Sequence, residues 1–153
     1  MKLYRVSSRI AFSERTIKHP GAYEQLRKER FSMVINLWHT ADPAFQKGTF
    51  GEYEETIDYL HDSLPDGRLL TEHIPRYERL ARIAVKHLRQ YDRNGVLTHC
   101  WGGRNRSAFL AALIYREFHE VSGAVALEMV RQARPRCVAN PHFEAYLKEQ
   151  KGP

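Results

Sequence analysis

The chain has 153 residues, a formal net charge of +6 at neutral pH and two cysteines. That length suits one domain over residues 1–153, able to bury roughly two thirds of its unfolded surface in one core; two cysteines exclude a disulfide framework, and the lack of a long apolar run excludes a membrane span or signal segment. A reduced, cytoplasmic protein is therefore expected, its positive charge favouring nucleic acid, phospholipid, phosphoprotein or nucleotide without choosing among them.

No internal repeat or low-complexity block interrupts the chain, and the tail "KEQKGP" alone reads as dispensable. The opening "YRVSSRIAFS" alternates as an edge strand or hairpin does, and "GAYEQLRKER" follows as a short helix. "FSMVINLW" packs apolar and β-branched residues into a strand-length run and reads as a buried strand. After the loop "HTADPAFQKGTF", the segment "TIDYLHDSLPDG" predicts a strand that ends at a Pro-Asp-Gly turn. Over residues 71–91, Ile74, Tyr77, Ala81, Ala84, Leu88 and Tyr91 recur at intervals of three and four, the mark of an amphipathic helix, and "RNG" stops it. "VLTHC" reads as the central strand and "NRSAFLAALIYREFH" as a helix apolar on nearly every side, hence deep in the domain. "SGAVALEMVRQARP" begins with a capping serine and ends before a proline, and "NPHFEAYLKEQ" has Asn140 as cap and Pro141 in its first turn. Strands joined by helical crossovers, with a helical C-terminal half, predict a three-layer α/β fold whose mostly parallel sheet is flanked by helices. In such sheets ligands bind outside the carboxyl ends of the strands, and Cys100 lies at one of those ends.

The joint between that strand and that helix reads "HCWGGRNRS" over residues 99–107. A loop leading from a strand end into a helix presents several backbone N–H groups to one point, with the positive end of the helix dipole behind them, which makes a cradle for a tetrahedral oxyanion. Gly102 and Gly103 allow a tight approach, and Asn105 is among the few other residue types that tolerate a left-handed backbone. Arg106 supplies a planar fork able to hold two phosphate oxygens at once, which lysine cannot do. A cysteine at the mouth of such a cradle sits where its thiolate is most stabilised, so Cys100 is a candidate nucleophile.

His99, Cys100, Gly103, Arg106 and Ser107 match H-C-x-x-G-x-x-R-[ST], and on these residues the chain resembles the cysteine-based protein tyrosine phosphatases, in particular the small, atypical dual-specificity branch. The resemblance extends to "SMVINLW", to "LHDSLPDG" as the general-acid loop and to "RPRCVANPHFEAYL" before the last helix, and so covers nearly the whole chain. It implies a protein tyrosine phosphatase-like fold in which Cys100 attacks phosphorus to form a phosphocysteine. Trp101, Gly102, Gly103, Arg104, Asn105 and Arg106 would surround the phosphate, and Ser107 would hydrogen-bond the departing sulfur. Asp66 would protonate the leaving oxygen and then activate water. Asp62 is the rival for that role; Asp66 is preferred because Pro65 and Gly67 place it in a turn, whereas Asp62 falls inside the strand-like segment. No cofactor or metal is required, and eight histidines without clustering give a metal site little support.

Other residues read more plainly. Cys137 is a small core residue, His99 a hydrogen-bonding neighbour of the nucleophile, and Arg68, Arg76, Arg134 and Arg136 most simply a solvated face, with a place on the rim of the pocket the alternative for any of them. Trp101 either packs beneath the loop or forms surface around it. The resemblance carries no deep phosphotyrosine-recognition segment, so a shallow pocket is expected, open to phosphotyrosine, phosphoserine and phosphothreonine of a protein substrate. Arg104 also resembles phosphoinositide-directed members, and Asn105-Arg106 the loop of RNA 5'-triphosphatases, so an inositol phosphate or an RNA 5' end is the alternative substrate. A non-catalytic phosphate-binding module is the alternative outside enzymes, although such modules usually lose the cysteine, the arginine or the acid.

Overall fold

A computed structural model describes residues 1–45, 57–68 and 71–153. Among these the chain order is β1 (Tyr4–Arg5), β2 (Ile10–Ser13), α1 (Ala22–Lys28), β3 (Phe31–Asn36), β4 (Asp58–His61), α2 (Ile74–Gln90), β5 (Gly95–His99), α3 (Arg106–His119), α4 (Gly123–Ala133) and α5 (Pro141–Glu149). Thr16–Lys18 and Pro43–Phe45 form single turns of 3-10 helix. The sheet order is β1-β2-β5-β3-β4, with β1 antiparallel to β2 and every other pairing parallel.

The two-residue period of the strands sorts their side chains to opposite faces. Ala11, Val34 and Leu97 pack with Tyr23 and Leu26 of α1. Their neighbours Ile10, Phe12, Met33, Ile35 and Val96 face the other way and join the core beneath α2, α3, α4 and α5. This gives the three layers. Because both faces are covered, the inner strands read as continuous apolar runs rather than alternating ones. In α3 every residue from Ser107 to Ile114 is buried. Phe109 stacks on Phe143 of α5 at 4.6 Å and meets the edge of Tyr77 of α2 at 4.9 Å, each such buried ring contributing about 1.5–3 kcal/mol. The caps form as expected: Ser122 accepts from Val125 N at 3.2 Å and Asn140 from His142 N at 2.9 Å.

The opening hairpin forms as expected, with β1 at one edge of the sheet and β2 fully buried between β1 and β5. Three expectations need correction. The strand expected within residues 56–67 is only Asp58–His61, because its partner β3 ends opposite it at Asn36, so Asp62 lies beyond the strand rather than inside it. Thr56 and the end of the preceding loop, residues 46–50, lie outside the described residues. Tyr91 is not on the buried face of α2 but follows its last turn, 42% exposed. The tail is tied to the domain rather than loose: Gly123 N donates to Gln150 O and Arg116 to Lys151 O, both at 2.8 Å. Among the described residues no helix is long and apolar enough to cross a membrane.

The topology positions the site. β2 and β3 are consecutive in sequence, yet β5 lies between them. The carboxyl end of β5 is therefore flanked by the chain leaving β2, β3 and β4, the crevice where open α/β sheets bind ligands.

Candidate active site

The loop after β5 is shaped by one glycine. Gly103 has φ +64°, and a Cβ there would stand 2.6 Å from Ser13 C and Glu14 N, so only glycine fits. Two expectations fail here. A Cβ on Gly102 would meet nothing within 4 Å, and Asn105 has φ −112°, not a left-handed backbone; the tight turn is made at Gly103 alone.

The loop carbonyls are engaged in turn. Trp101 O accepts from Arg15 N at 3.3 Å and Arg15 Nη1 at 3.0 Å. Gly102 O and Gly103 O accept from Arg134 Nη1 at 2.8 and 2.6 Å. Arg104 O accepts from Val138 N and Asn105 O from Phe109 N, both at 2.8 Å. The peptide bonds of the described residues are trans, so each loop carbonyl points opposite to the N–H that follows it. Tying the oxygens to these partners turns the N–H groups of Gly102, Gly103, Arg104, Asn105 and Arg106 the other way, and none of the five donates to a described residue. The amino end of α3 adds its dipole to the same set.

Cys100 begins this loop and is buried, its Sγ 3.3 Å from Ser107 Oγ. Ser107 is held in turn, with Thr98 Oγ1 donating to its carbonyl at 2.8 Å. Arg106 donates from Nη1 to Leu64 O at 3.0 Å, while its Nε is buried without a partner among the described residues. His99 is buried, its Nε2 lying 3.4 Å from Thr16 Oγ1. Burial lowers its pKa to about 4, His61 adding to that effect and a backbone hydrogen bond at Cys100 opposing it. At neutral pH the ring is uncharged, and the His99 backbone carbonyl accepts from Leu37 N at 2.8 Å.

Asp66 is brought to the loop. Asn105 Nδ2 donates to its Oδ2 at 3.0 Å and Asn140 Nδ2 to its Oδ1 at 3.2 Å. Asp62 is instead ion-paired with Arg76, whose Nη2 also donates to Ser63 O at 3.1 Å. Trp101 is 54% exposed, so it lies on the surface beside the loop rather than beneath it. Its ring carries the Arg15 guanidinium at 4.5 Å, with the Trp38 ring 5.5 Å from the same group. The side chains of Arg68, Arg104 and Arg136 are exposed. Cys137 is a core residue, its thiol pushed up to about 11 by burial.

Arg134 is thus not part of a solvated face, and Arg76 is spent on Asp62. Three residues that shape the site, Arg15, Arg134 and Asn140, carry no local sequence signal for that role. The signal at Asn140 is indirect: a cap uses only the amide oxygen, and the two N–H donors of the side chain still need acceptors.

No family model matches the chain. Its sequence is similar to that of dual specificity protein phosphatase 19 of Mus musculus, 26% identical over 126 residues, covering 82% of this chain and 52% of that protein. The chain therefore spans about half the length of that relative. Its structure is similar to Tk-PTP in the active form, with a TM-score of 0.71 and 24% identity over 96% of this chain and 94% of that one. Human DUSP28 superposes with a TM-score of 0.67 and 23% identity over 96% and 90% of the two chains. Cydia pomonella PTP-2 phosphatase gives 0.75 and 18% over 96% and 88%. The fold is that of these phosphatases.

Proposed function

We propose that this chain, which has the fold of the small dual-specificity phosphatases and resembles them in sequence, is a cysteine-dependent phosphoric monoester hydrolase acting on phosphorylated protein. The observation that carries the reading is the loop itself: five N–H groups turned away from their carbonyls' partners, and an Arg106 Nε without a partner among the described residues, in the loop that the Cys100 thiol opens. A set of fixed donors of this kind fits the three equatorial oxygens of a phosphoryl group in transfer.

In the first step Cys100 sulfur bonds to phosphorus, the bond from phosphorus to the ester oxygen breaks, and Asp66 gives that oxygen its proton. In the second, water attacks the phosphocysteine, Asp66 takes the proton, and the sulfur leaves with the Ser107 hydroxyl 3.3 Å away to stabilise it. Two free cysteines, one of them the nucleophile, suit the reducing cytoplasm. The chain over residues 1–153 works as one catalytic domain in this reading.

Cys100→Ser is expected to abolish turnover of an aryl phosphate while vanadate still binds, because the cradle survives and the nucleophile does not. Arg106→Lys is expected to lose both vanadate affinity and rate, since a point charge cannot replace the planar fork. Steady-state kinetics and vanadate inhibition check both; turnover by Cys100→Ser excludes the covalent mechanism. A panel of phosphotyrosine and phosphothreonine peptides, inositol phosphates and triphosphorylated RNA then ranks the substrates, with phosphopeptides expected first.

A further inference from the structure

We infer that Asn105 and Asn140 are positioning residues that hold the Asp66 carboxylate in one orientation against the phosphate-binding loop. This rests on the reading of Asp66 as the proton donor, and goes beyond it by assigning what aims the proton.

Asp66 is exposed and sits in a bend after β4, where an unsupported side chain samples several rotamers. Here both carboxylate oxygens are taken, Oδ2 by Asn105 and Oδ1 by Asn140, at 3.0 and 3.2 Å. The orientation of each amide is fixed by its other end. Asn105 Oδ1 accepts from Asn140 N at 3.1 Å, so its NH₂ has to face Asp66. Asn140 Oδ1 accepts from His142 N at 2.9 Å as the cap of α5, so its NH₂ faces Asp66 and also Gly67 O, at 2.7 Å. An amide carries one acceptor oxygen and two donor hydrogens, and this network uses both kinds on both residues. Serine at either place is too short to span the same partners, and aspartate has only acceptors to offer another carboxylate. Asn105 immediately precedes Arg106, which itself holds Leu64 O of the acid loop at 3.0 Å. The proton donor is thereby registered to the phosphate site and to α5, two elements far apart in sequence.

A group that acts by aiming a proton matters in proportion to the leaving group's need for one. Asn140→Ser keeps a hydroxyl to cap α5 but removes the amide donor from outside the loop. It is therefore expected to slow hydrolysis of a poor leaving group, phenyl phosphate, by about tenfold to a hundredfold, the usual effect of misplacing a reacting group by an ångström or so. It should slow a good leaving group, p-nitrophenyl phosphate, by less than about threefold, and flatten the alkaline limb of the kcat/KM profile. Asn105→Ala is expected to lose more on phenyl phosphate than on p-nitrophenyl phosphate. Asp66→Ala sets the reference: in that background Asn140→Ser should add nothing on phenyl phosphate.

The outcomes are separable. If Asp66→Ala changes neither the leaving-group dependence nor the alkaline limb, the proton-donor reading fails. If Asp66→Ala changes both and neither asparagine variant does, the inference alone is overturned. Equal losses on both substrates in Asn140→Ser would also overturn it. Circular dichroism confirms folding; should Asn140→Ser not fold, the ratio of losses on the two substrates in Asn105→Ala carries the same test.

Discussion

Gly103 carries the strictest demand of any residue in the loop, and its neighbour carries almost none. A methyl group at Gly103 meets the backbone of Ser13 and Glu14 at 2.6 Å and is held at a positive φ, where a non-glycine residue costs about 1–2 kcal/mol before any clash. Gly103→Ala is expected to lose at least that much stability and most vanadate affinity, whereas Gly102→Ala should keep both; urea denaturation and vanadate inhibition check the contrast. The two glycines look alike in sequence, because the difference lies in what β2 brings against them from ninety residues away. Cys100, Arg106 and Ser107 were legible because their chemistry and spacing are local. Asn105 was legible as a loop residue but for the wrong reason: its backbone is ordinary and its side chain does the work.

At the scale of elements, the connection from α4 to α5 proves as important as the loop it braces. Arg134 closes α4 and reaches two loop carbonyls, and Val138 N reaches a third. Arg136 and Val138 have φ of 64° and 54°, a strained state for a β-branched residue that persists only where surroundings over-determine it. Arg134→Met keeps an apolar stem beside Tyr4, whose ring the guanidinium faces at 4.6 Å, but frees the oxygens of Gly102 and Gly103. A fall of about tenfold in kcat/KM, matched by weaker vanadate binding, is expected, the scale of one lost charge-assisted hydrogen bond once water reaches the freed carbonyls; parallel kinetics and thermal melts on the two proteins test it. Helices and strands were legible from apolar periodicity and caps, and β4 was overextended because pairing length is set by β3, not by β4's own residues. Ties such as Arg134 to Gly103 leave no trace in periodicity.

For the whole molecule the clearest consequence is a dependence of stability on acidity. His99 is buried at the end of the central strand with its pKa lowered to about 4, against about 6.5 in the unfolded chain. Between those values the unfolded chain binds a proton that the folded one refuses, so the unfolded state gains as pH falls. Stability is full above about pH 6.5 and is lost progressively down to about pH 4, by about 3 kcal/mol from this residue. His87 is also lowered by burial and acts in the same direction. Urea unfolding at pH 7.5 and pH 4.5 measures the loss, and His99→Asn should shrink the difference between them.

The bracing of the loop by Arg134 and Val138 also sets an order of events at the ribosome. Cys100 and its loop are synthesised before the residues that hold the carbonyls of Gly102, Gly103 and Arg104. A nascent chain released through α3 has the nucleophile, the arginine and the acid, yet lacks the braces that aim the backbone. Activity should therefore arise abruptly, when residues 134–140 emerge and dock, so that the cell meets the thiol in a chain with almost no power to hydrolyse phosphate until those residues have followed it out of the ribosome.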